Sequence, residues 1–218
     1  MLTACASSKT GSGSSAGSLT VAQAQMIAKK GHLTSADLPG YTAKTGTNNR
    51  TDASDATLAR CIGVKLPTYI LHDPGVELHK GDALEVDSSI DVVAQESDVK
   101  ASVDAFNEAK APGCFEQQFR AFLQQHGAAN SSLRVTHVPV RVSGADVSFG
   151  LRLTGTFVVQ GRQLTISAYQ YGAGVGQAEV GVTLSDVGDT ITAGAPSEAQ
   201  LTALLQKSVD RVAAAYPG

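Results

Sequence analysis

The sequence predicts an α+β fold in which an antiparallel β-meander is covered by N-terminal, central and C-terminal helices, as in an α/β/α sandwich. Between residues 133 and 186 the chain is rich in Val, Thr, Leu and Gly, and apolar residues alternate with polar ones. Before and after this stretch, apolar residues recur at helical spacing. Hydrophobic residues make up 42% of the 218 residues, which is enough for a substantial core.

Two helices are predicted in the N-terminal part of the domain. Residues 21–30 carry apolar side chains at helical spacing after Thr20, a residue type favoured at N-caps. The Pro-Gly pair within Asp37–Tyr41 predicts a break, and the polar residues 44–52 predict a loop. Residues 53–62 return to a helical pattern.

The central part combines extended chain with two further helices. Residues 68–95 are predicted to be mostly extended, with residues 89–94 as the clearest strand. Residues 96–110 predict an amphipathic helix, which Ala111-Pro112-Gly113 ends. Residues 114–125 predict the next helix.

The meander and a terminal helix complete the predicted fold. Gln160-Gly161 and the glycine-rich run 172–176 are predicted hairpin connections. Ser197 is the predicted N-cap of an amphipathic last helix. Four strands are predicted, at residues 133–142, 147–159, 162–172 and 177–186.

Length and charge restrict the function classes. Residues 19–218 are predicted to form a single domain. The formal net charge is −3, so the chain has no excess of basic residues for binding nucleic acid. No apolar run approaches the ~20 residues of a membrane-spanning helix.

The first five residues, Met1-Leu2-Thr3-Ala4-Cys5, match the cleavage site of a bacterial lipoprotein, in which the cysteine receives the lipid. Residues 6–18 are Ser-, Gly- and Ala-rich and predict a flexible tether. We therefore expect attachment to the extracytoplasmic face of the membrane through Cys5. Only four residues precede Cys5, whereas a signal sequence carries an apolar stretch of about 7–15 residues. The alternative is a free cysteine in a disordered tail.

Cys61 and Cys114 are the two cysteines that remain once Cys5 is assigned to a lipid. In an extracytoplasmic protein they predict one disulfide bond. Two buried free thiols are the first alternative. A reactive Cys114 thiolate at a helix N-terminus is the second. No Cys or His ligands flank the pair, so the sequence does not predict a zinc site there.

No catalytic, cofactor-binding or metal-ligating set is predicted. Leu71-His72-Asp73 and Glu77-Leu78-His79 bring histidines near carboxylates, and we interpret both as solvated loop. The sequence has no Gly-x-Ser-x-Gly nucleophile motif. The glycine-rich run 172–176 is followed by strand-forming residues, whereas a dinucleotide-binding loop leads into a helix.

Tyr169 and Tyr171 are the candidate ligand-binding residues. They are two positions apart in a predicted strand, so their side chains project from the same face. Two interpretations stay open. The rings belong to the core, or they line a pocket or an exposed patch, since tyrosine has an apolar body and a polar tip.

The order of the predicted elements and four sequence motifs are shared with a known group of proteins. The motifs are the lipobox with its tether, Asp37–Tyr41 after a helix, Ala59–Gly63 around the first internal cysteine, and Ala109–Phe115 around the second. The chain resembles envelope lipoproteins and sensor-like ectodomains of actinobacteria, whose folds are similar to the PsbP-type α/β/α sandwich and to mycobacterial kinase sensor domains. The resemblance covers roughly residues 20–215. It implies a role in binding a ligand or a protein in the cell envelope and brings no catalytic residues.

The first functional hypothesis is a lipid-anchored, non-enzymatic envelope protein that binds an envelope ligand or another protein. An envelope hydrolase or transferase with an unrecognised active site is the alternative, which clustered titratable side chains with shifted pKa values would favour. A third hypothesis is a sensory module that acts through a membrane partner.

Overall fold

The computed structural model describes residues 19–45 and 52–216. Five helices are present in these ranges: α1 Val21–Gly31, α2 Asp52–Ile62, α3 Glu96–Ala105, α4 Ala111–Gln125 and α5 Glu198–Ala215. Seven strands accompany them: β1 Thr42–Thr45, β2 Tyr69–Lys80, β3 Leu84–Val93, β4 Ala129–His137, β5 Val147–Val159, β6 Arg162–Val175 and β7 Ala178–Gly188. The predicted α+β class is confirmed. No described helix is both long enough and apolar enough to span a membrane.

The seven strands form one antiparallel sheet in the order β1-β2-β3-β7-β6-β5-β4. Strands β1 to β3 make one half and the meander β4 to β7 makes the other. The halves join where β3 pairs with β7, with Ile90 opposite Val180 and Val86 opposite Leu184. Because these four side chains are almost fully buried, the junction lies in the core and fixes the register of both halves.

One face of the sheet packs against α1 and α5, and we call it the α1/α5 face. Helix α5 buries Leu201, Leu205, Val209 and Val212 along one stripe, as the sequence predicts. Both helices begin with a capping box, at Thr20 and at Ser197. In each box the cap and the third helical residue satisfy each other's backbone N–H groups.

Helices α1 and α5 also contact each other closely. A Cβ atom built on Gly31 would lie 2.4 Å from both Ile90 Cδ1 and Val212 Cγ2, so only glycine fits at this crossing. The Ser208 hydroxyl donates a hydrogen bond of 2.6 Å to the Gly31 carbonyl. Since Ser208 is fully buried, this bond satisfies a polar group inside the apolar layer.

Helices α3 and α4 lie against the opposite face, the α3/α4 face. Val99 and Val103 of α3 pack there with Val93, Phe149 and Leu151. Helix α4 contributes Leu123, which packs with Leu133, Phe157 and Ile166. This apolar layer covers mainly the meander half of the sheet.

The glycine-rich run 172–176 is mostly strand, so its interpretation as a hairpin connection is wrong. Strand β6 continues to Val175, and the turn to β7 lies at Gly176 and Gln177. A Cβ atom on Gly172 would lie 2.2 Å from the Phe149 ring, and one on Gly174 would lie 2.6 Å from Val99 Cγ1. These glycines therefore leave room for the Phe149 ring of the neighbouring strand β5 and for the close approach of α3.

Cys61 and Cys114 form a disulfide bond, which confirms the predicted pair. The bond joins α2 to α4 across 53 positions of sequence, and Ile62 and Ala111 are buried beside it. Closing a loop of this length stabilises the folded chain by about 4 kcal/mol in the chain-entropy model. It also excludes a free Cys114 thiolate in the folded protein.

Several predicted boundaries differ from the structure. Residues 68–95 hold two strands rather than one, and the predicted loop 44–52 begins inside β1. Strand β4 spans Ala129–His137 instead of residues 133–142. Helix α3 ends at Ala105, five residues before the predicted end, and α4 begins at Ala111 instead of Cys114. The Pro at the start of α4 sits within its first turn, where a missing N–H is tolerated.

Candidate functional site

The hairpin β2–β3 carries a cluster of four titratable side chains. Glu77 is the register partner of Asp87, and His79 is the partner of Glu85. Successive side chains of a strand point to opposite faces, so these four share one face. Leu78 and Val86, which alternate with them, are buried on the α1/α5 face. We call the four residues the carboxylate–histidine cluster; it lies on the α3/α4 face.

His79 is held between two glutamates. Its Nε2 lies 3.2 Å from Glu77 Oε2 and its Nδ1 lies 3.7 Å from Glu85 Oε2. The side chains of His79 and Glu77 are each 16% exposed, and that of Glu85 is 35% exposed. Such partial burial strengthens the interactions among charged groups.

Asp87 is the most perturbed member of the cluster. Burial, followed by the neighbouring Glu85 and Glu77 carboxylates, raises the pKa of Asp87 to about 8. Its Oδ1 atom is shielded from solvent and has no hydrogen-bond partner in the described part of the chain. A carboxyl group in these surroundings keeps its proton near neutral pH, or takes up a cation in its place.

The interpretation of these histidines as solvated loop is wrong, because both lie in β2. His72 contacts Asp91 through its Nδ1, and its side chain is 23% exposed while that of Asp91 is 5% exposed. His32, in the segment after α1, brings its Nε2 to 3.2 Å from Asp73 Oδ1. The β2 strand thus places histidine–carboxylate pairs on both faces of the sheet.

Tyr169 and Tyr171 lie on the α1/α5 face, where the structure packs both against the main core. Tyr171 is 1% exposed and its ring meets that of Tyr169 edge-on, with centroids 6.0 Å apart. Burial raises the pKa of both phenols. Tyr169 is half-buried, and its hydroxyl group hydrogen-bonds with Glu198. The Arg152 guanidinium lies over the Tyr169 ring, 5.3 Å from the ring centroid. A role of either ring in ligand binding stays a prediction.

Two surface clefts lie elsewhere in the described residues. One lies along α4, beside Glu116 and Arg120, which form an ion pair of 2.9 Å. The other lies where Glu96 and Lys100 of α3 meet Asp146. Both are open to solvent, and neither includes the carboxylate–histidine cluster or the two tyrosines. They have no counterpart in the sequence prediction.

The sequence prediction missed Glu85 and Asp87 as site residues. Leu84, Val86 and Ile90 alternate with polar residues, which is the signal of a strand with one apolar face. This signal predicts that Glu85 and Asp87 share a face. Their proximity to Glu77 and His79 depends on the register across the turn at Gly81, which alternation alone does not fix.

Cys5 and the tether at residues 6–18 lie outside the described residues, so the lipobox stays a prediction. No family model matches the sequence, and no curated protein matches it. Among solved structures, the chain is similar to the extracellular domain of PknH from Mycobacterium tuberculosis. The two share 11% sequence identity over 89% of this chain and 97% of that chain, with a TM-score of 0.46.

An uncharacterised protein from Mycobacterium smegmatis is similar at 13% identity, over 86% of this chain and 96% of that chain, with a TM-score of 0.45. The similar structures thus include a mycobacterial extracellular domain, the type of protein that the sequence resemblance names. The lipoprotein and PsbP-type parts of that resemblance stay predictions. Neither score is high enough to assign this chain a function or a ligand.

Proposed function

We propose that this chain is a non-enzymatic binding domain that works outside the cytoplasm and is attached to the membrane through a lipid on Cys5. The observation that carries this proposal is the disulfide bond between Cys61 and Cys114. Disulfide bonds of this structural kind form and persist in oxidising compartments, whereas cytoplasmic thiols are kept reduced. The bond also removes Cys114 from the candidate nucleophiles.

The N-terminal sequence supports the anchor. Cys5 closes a lipobox-like tetrapeptide and is followed by the 13 residues 6–18, whose composition is that of a flexible linker. A linker of this length gives the domain a reach of roughly 20 Å from the membrane surface. An anchored domain of this kind meets ligands and partners in the envelope.

The α3/α4 face of strands β2 and β3 is the binding surface that we favour. Helix α3 makes its apolar contact with β3 at Val93, at the opposite end of the strand from Glu85. Partly burying four titratable groups at one place is unfavourable for folding alone and is typical of functional sites. The negative character of the cluster favours a cationic ligand.

The alternative of an envelope hydrolase or transferase is favoured by one observation. The pKa of Asp87, raised to about 8 by burial and by Glu85 and Glu77, would let this carboxyl act as a general acid near neutral pH. Turnover of an ester, phosphoester or glycoside substrate by the wild-type chain, lost in Asp87→Asn, would replace the binding proposal. We expect no turnover from either protein.

Intact-mass spectrometry of the full-length protein from its native envelope tests the location. We expect a diacyl or triacyl mass on Cys5, and Cys61 and Cys114 that alkylate only after reduction. Cys5→Ala is the matched variant and should leave the membrane fraction with its disulfide intact. An unlipidated Cys5 together with two freely alkylating thiols would overturn the proposed compartment.

A further inference from the structure

We propose that Glu77, His79 and Glu85 form a binding site for one divalent cation of the Zn²⁺ or Mn²⁺ class. Each of the three residues offers one ligand atom, and these atoms lie within 4.8 Å of one another. All three side chains lie on the α3/α4 face of the β2–β3 hairpin, on two paired strands rather than on loops. The paired strands fix the backbone positions of the three donors before the ion arrives.

The spacing of the donors suits a metal ion. Ligands about 2.1 Å from one ion lie roughly 3.0–3.4 Å apart in octahedral or tetrahedral geometry. The Nε2 of His79 and the Oε2 of Glu77 are already 3.2 Å apart, and the closest approach of Glu85 to the imidazole is 3.7 Å. Glu85 lies at the Nδ1 edge of the ring, so an ion bound at Nε2 requires the Glu85 side chain, which is 35% exposed, to rotate toward that nitrogen.

A second observation is the surroundings of Asp87, whose carboxyl group shares a side-chain hydrogen bond with the Glu85 carboxyl group. The Oδ1 atom of Asp87 is shielded from solvent without a hydrogen-bond partner among the described residues. It lies on the same face as Glu77 and Glu85, which puts three carboxylates around one imidazole. Withdrawing carboxylates from water is costly unless cations or donors compensate. Lys44 of β1, the register partner of Glu77, is exposed to solvent.

The donor types decide which ion is expected. Imidazole nitrogen suits Zn²⁺ and carboxylate oxygen suits Mn²⁺, whereas Mg²⁺ and Ca²⁺ are bound mainly through oxygen ligands. Carboxylate oxygens exclude the soft ions that require thiolates. The site does not depend on the anchor or on the compartment, so it is testable whether or not the proposed location is correct.

Isothermal titration calorimetry of the full chain is the first test. The protein carries Cys5→Ser, which removes a competing free thiol, and is freed of metal with a chelator before titration with ZnCl₂ or MnCl₂. We expect one saturable site, and affinity lower by at least about tenfold in His79→Gln and in Glu85→Gln. His126→Gln is the matched control, because His126 lies exposed at the end of α4, and its affinity should equal that of the parent.

Nuclear magnetic resonance of the parent protein keeps the test independent of variant folding. Substoichiometric Mn²⁺ should broaden the amide signals of residues 76–79 and 84–87 before those of any other segment. CaCl₂ at the same concentration should give no comparable saturable heat. The absence of saturable binding, equal affinity in all three variants, or broadening centred elsewhere would overturn the site.

Discussion

Asp37 and Asp87 are both shielded carboxylates, yet the chain surrounds them with opposite charges. Asp37 lies on the α1/α5 side, where its side chain is 4% exposed. Arg211 donates two hydrogen bonds to it, of 2.8 and 2.9 Å, and Lys207 lies 3.1 Å away. Asp87 lies on the other side of the sheet, among Glu77, Glu85 and a single histidine.

The difference appears in the pKa values of the two groups. Burial alone would raise the pKa of Asp37, but hydrogen bonds from Arg211, the Thr34 backbone, Lys207 and the Thr34 hydroxyl outweigh it and lower the pKa well below its usual range. Burial and the neighbouring carboxylates raise the pKa of Asp87. At Asp37 the chain supplies the counter-charge, so the contact serves stability. At Asp87 the neighbours add like charge, and a cation from outside is expected.

The largest expected effect on the free energy of unfolding comes from removing the ion pair between Arg211 and Asp37. Arg211→Met should lower the free energy of unfolding by about 3 kcal/mol, because it leaves the buried Asp37 carboxylate with Lys207 as its remaining cationic partner. Urea denaturation measures the loss. Arg162→Met is the matched control, since Arg162 also binds an aspartate with two hydrogen bonds but both side chains are about 70% exposed. Its effect should stay below about 0.5 kcal/mol, and equal losses would contradict the comparison.

A smaller effect is the pH dependence of folding stability, which should have opposite signs for Asp87 and Asp37. The folded state holds the Asp87 proton up to about pH 8, whereas the unfolded chain releases it near pH 4. In this interval the folded protein binds more protons, so its stability falls as pH rises. The groups that face Asp87 are Glu77, His79, Glu85 and Lys44. We expect wild type to lose about 2 kcal/mol relative to Asp87→Asn between pH 5 and pH 6.5.

Asp37 should show the opposite sign. Its lowered pKa means that the unfolded chain binds the proton first as the pH falls. The stability that Asp37 contributes is therefore present above about pH 4 and is lost below it. Urea unfolding of Asp37→Asn beside wild type at pH 3 and pH 6 measures this, and the difference between the two proteins should shrink at pH 3. A difference that grows at pH 3 would contradict the pairing.

The sequence predicts the α1/α5 side of the molecule, on which Asp37 lies, better than it predicts the α3/α4 side, on which Asp87 lies. The stripe of α5 and the caps at Thr20 and Ser197 follow from local rules, so the helices on the α1/α5 face were predicted nearly to the residue. The alternation at Leu151 and Leu153 likewise predicted β5 of the meander, whereas the alternation at residues 138–142 lies beyond the end of β4. These features depend on neighbours a few positions apart in the chain.

The carboxylate–histidine cluster was not predictable in this way. Glu77 and Asp87 meet because β2 and β3 pair in one register, and their pKa shifts follow from burial in the folded sheet. The glycines at 172 and 174 were misinterpreted for a similar reason, since their role is to admit Phe149 and α3. The Cys61–Cys114 pair was predictable at long range because only two internal cysteines exist.

The smallest expected effect on stability concerns the hydroxyl group of Tyr171 on the α1/α5 face. Tyr171 is buried, and its Oη has no hydrogen-bond partner among the described residues. Tyr171→Phe should therefore change the free energy of unfolding by less than about 0.5 kcal/mol, or raise it, because no bond is lost. Tyr216→Phe is the matched control, since the Tyr216 hydroxyl donates a 2.9 Å hydrogen bond to the Val175 carbonyl. Its removal should cost about 1 kcal/mol. Equal losses in urea denaturation would show that the Tyr171 hydroxyl has a hydrogen-bond partner in the folded protein, which would contradict this prediction.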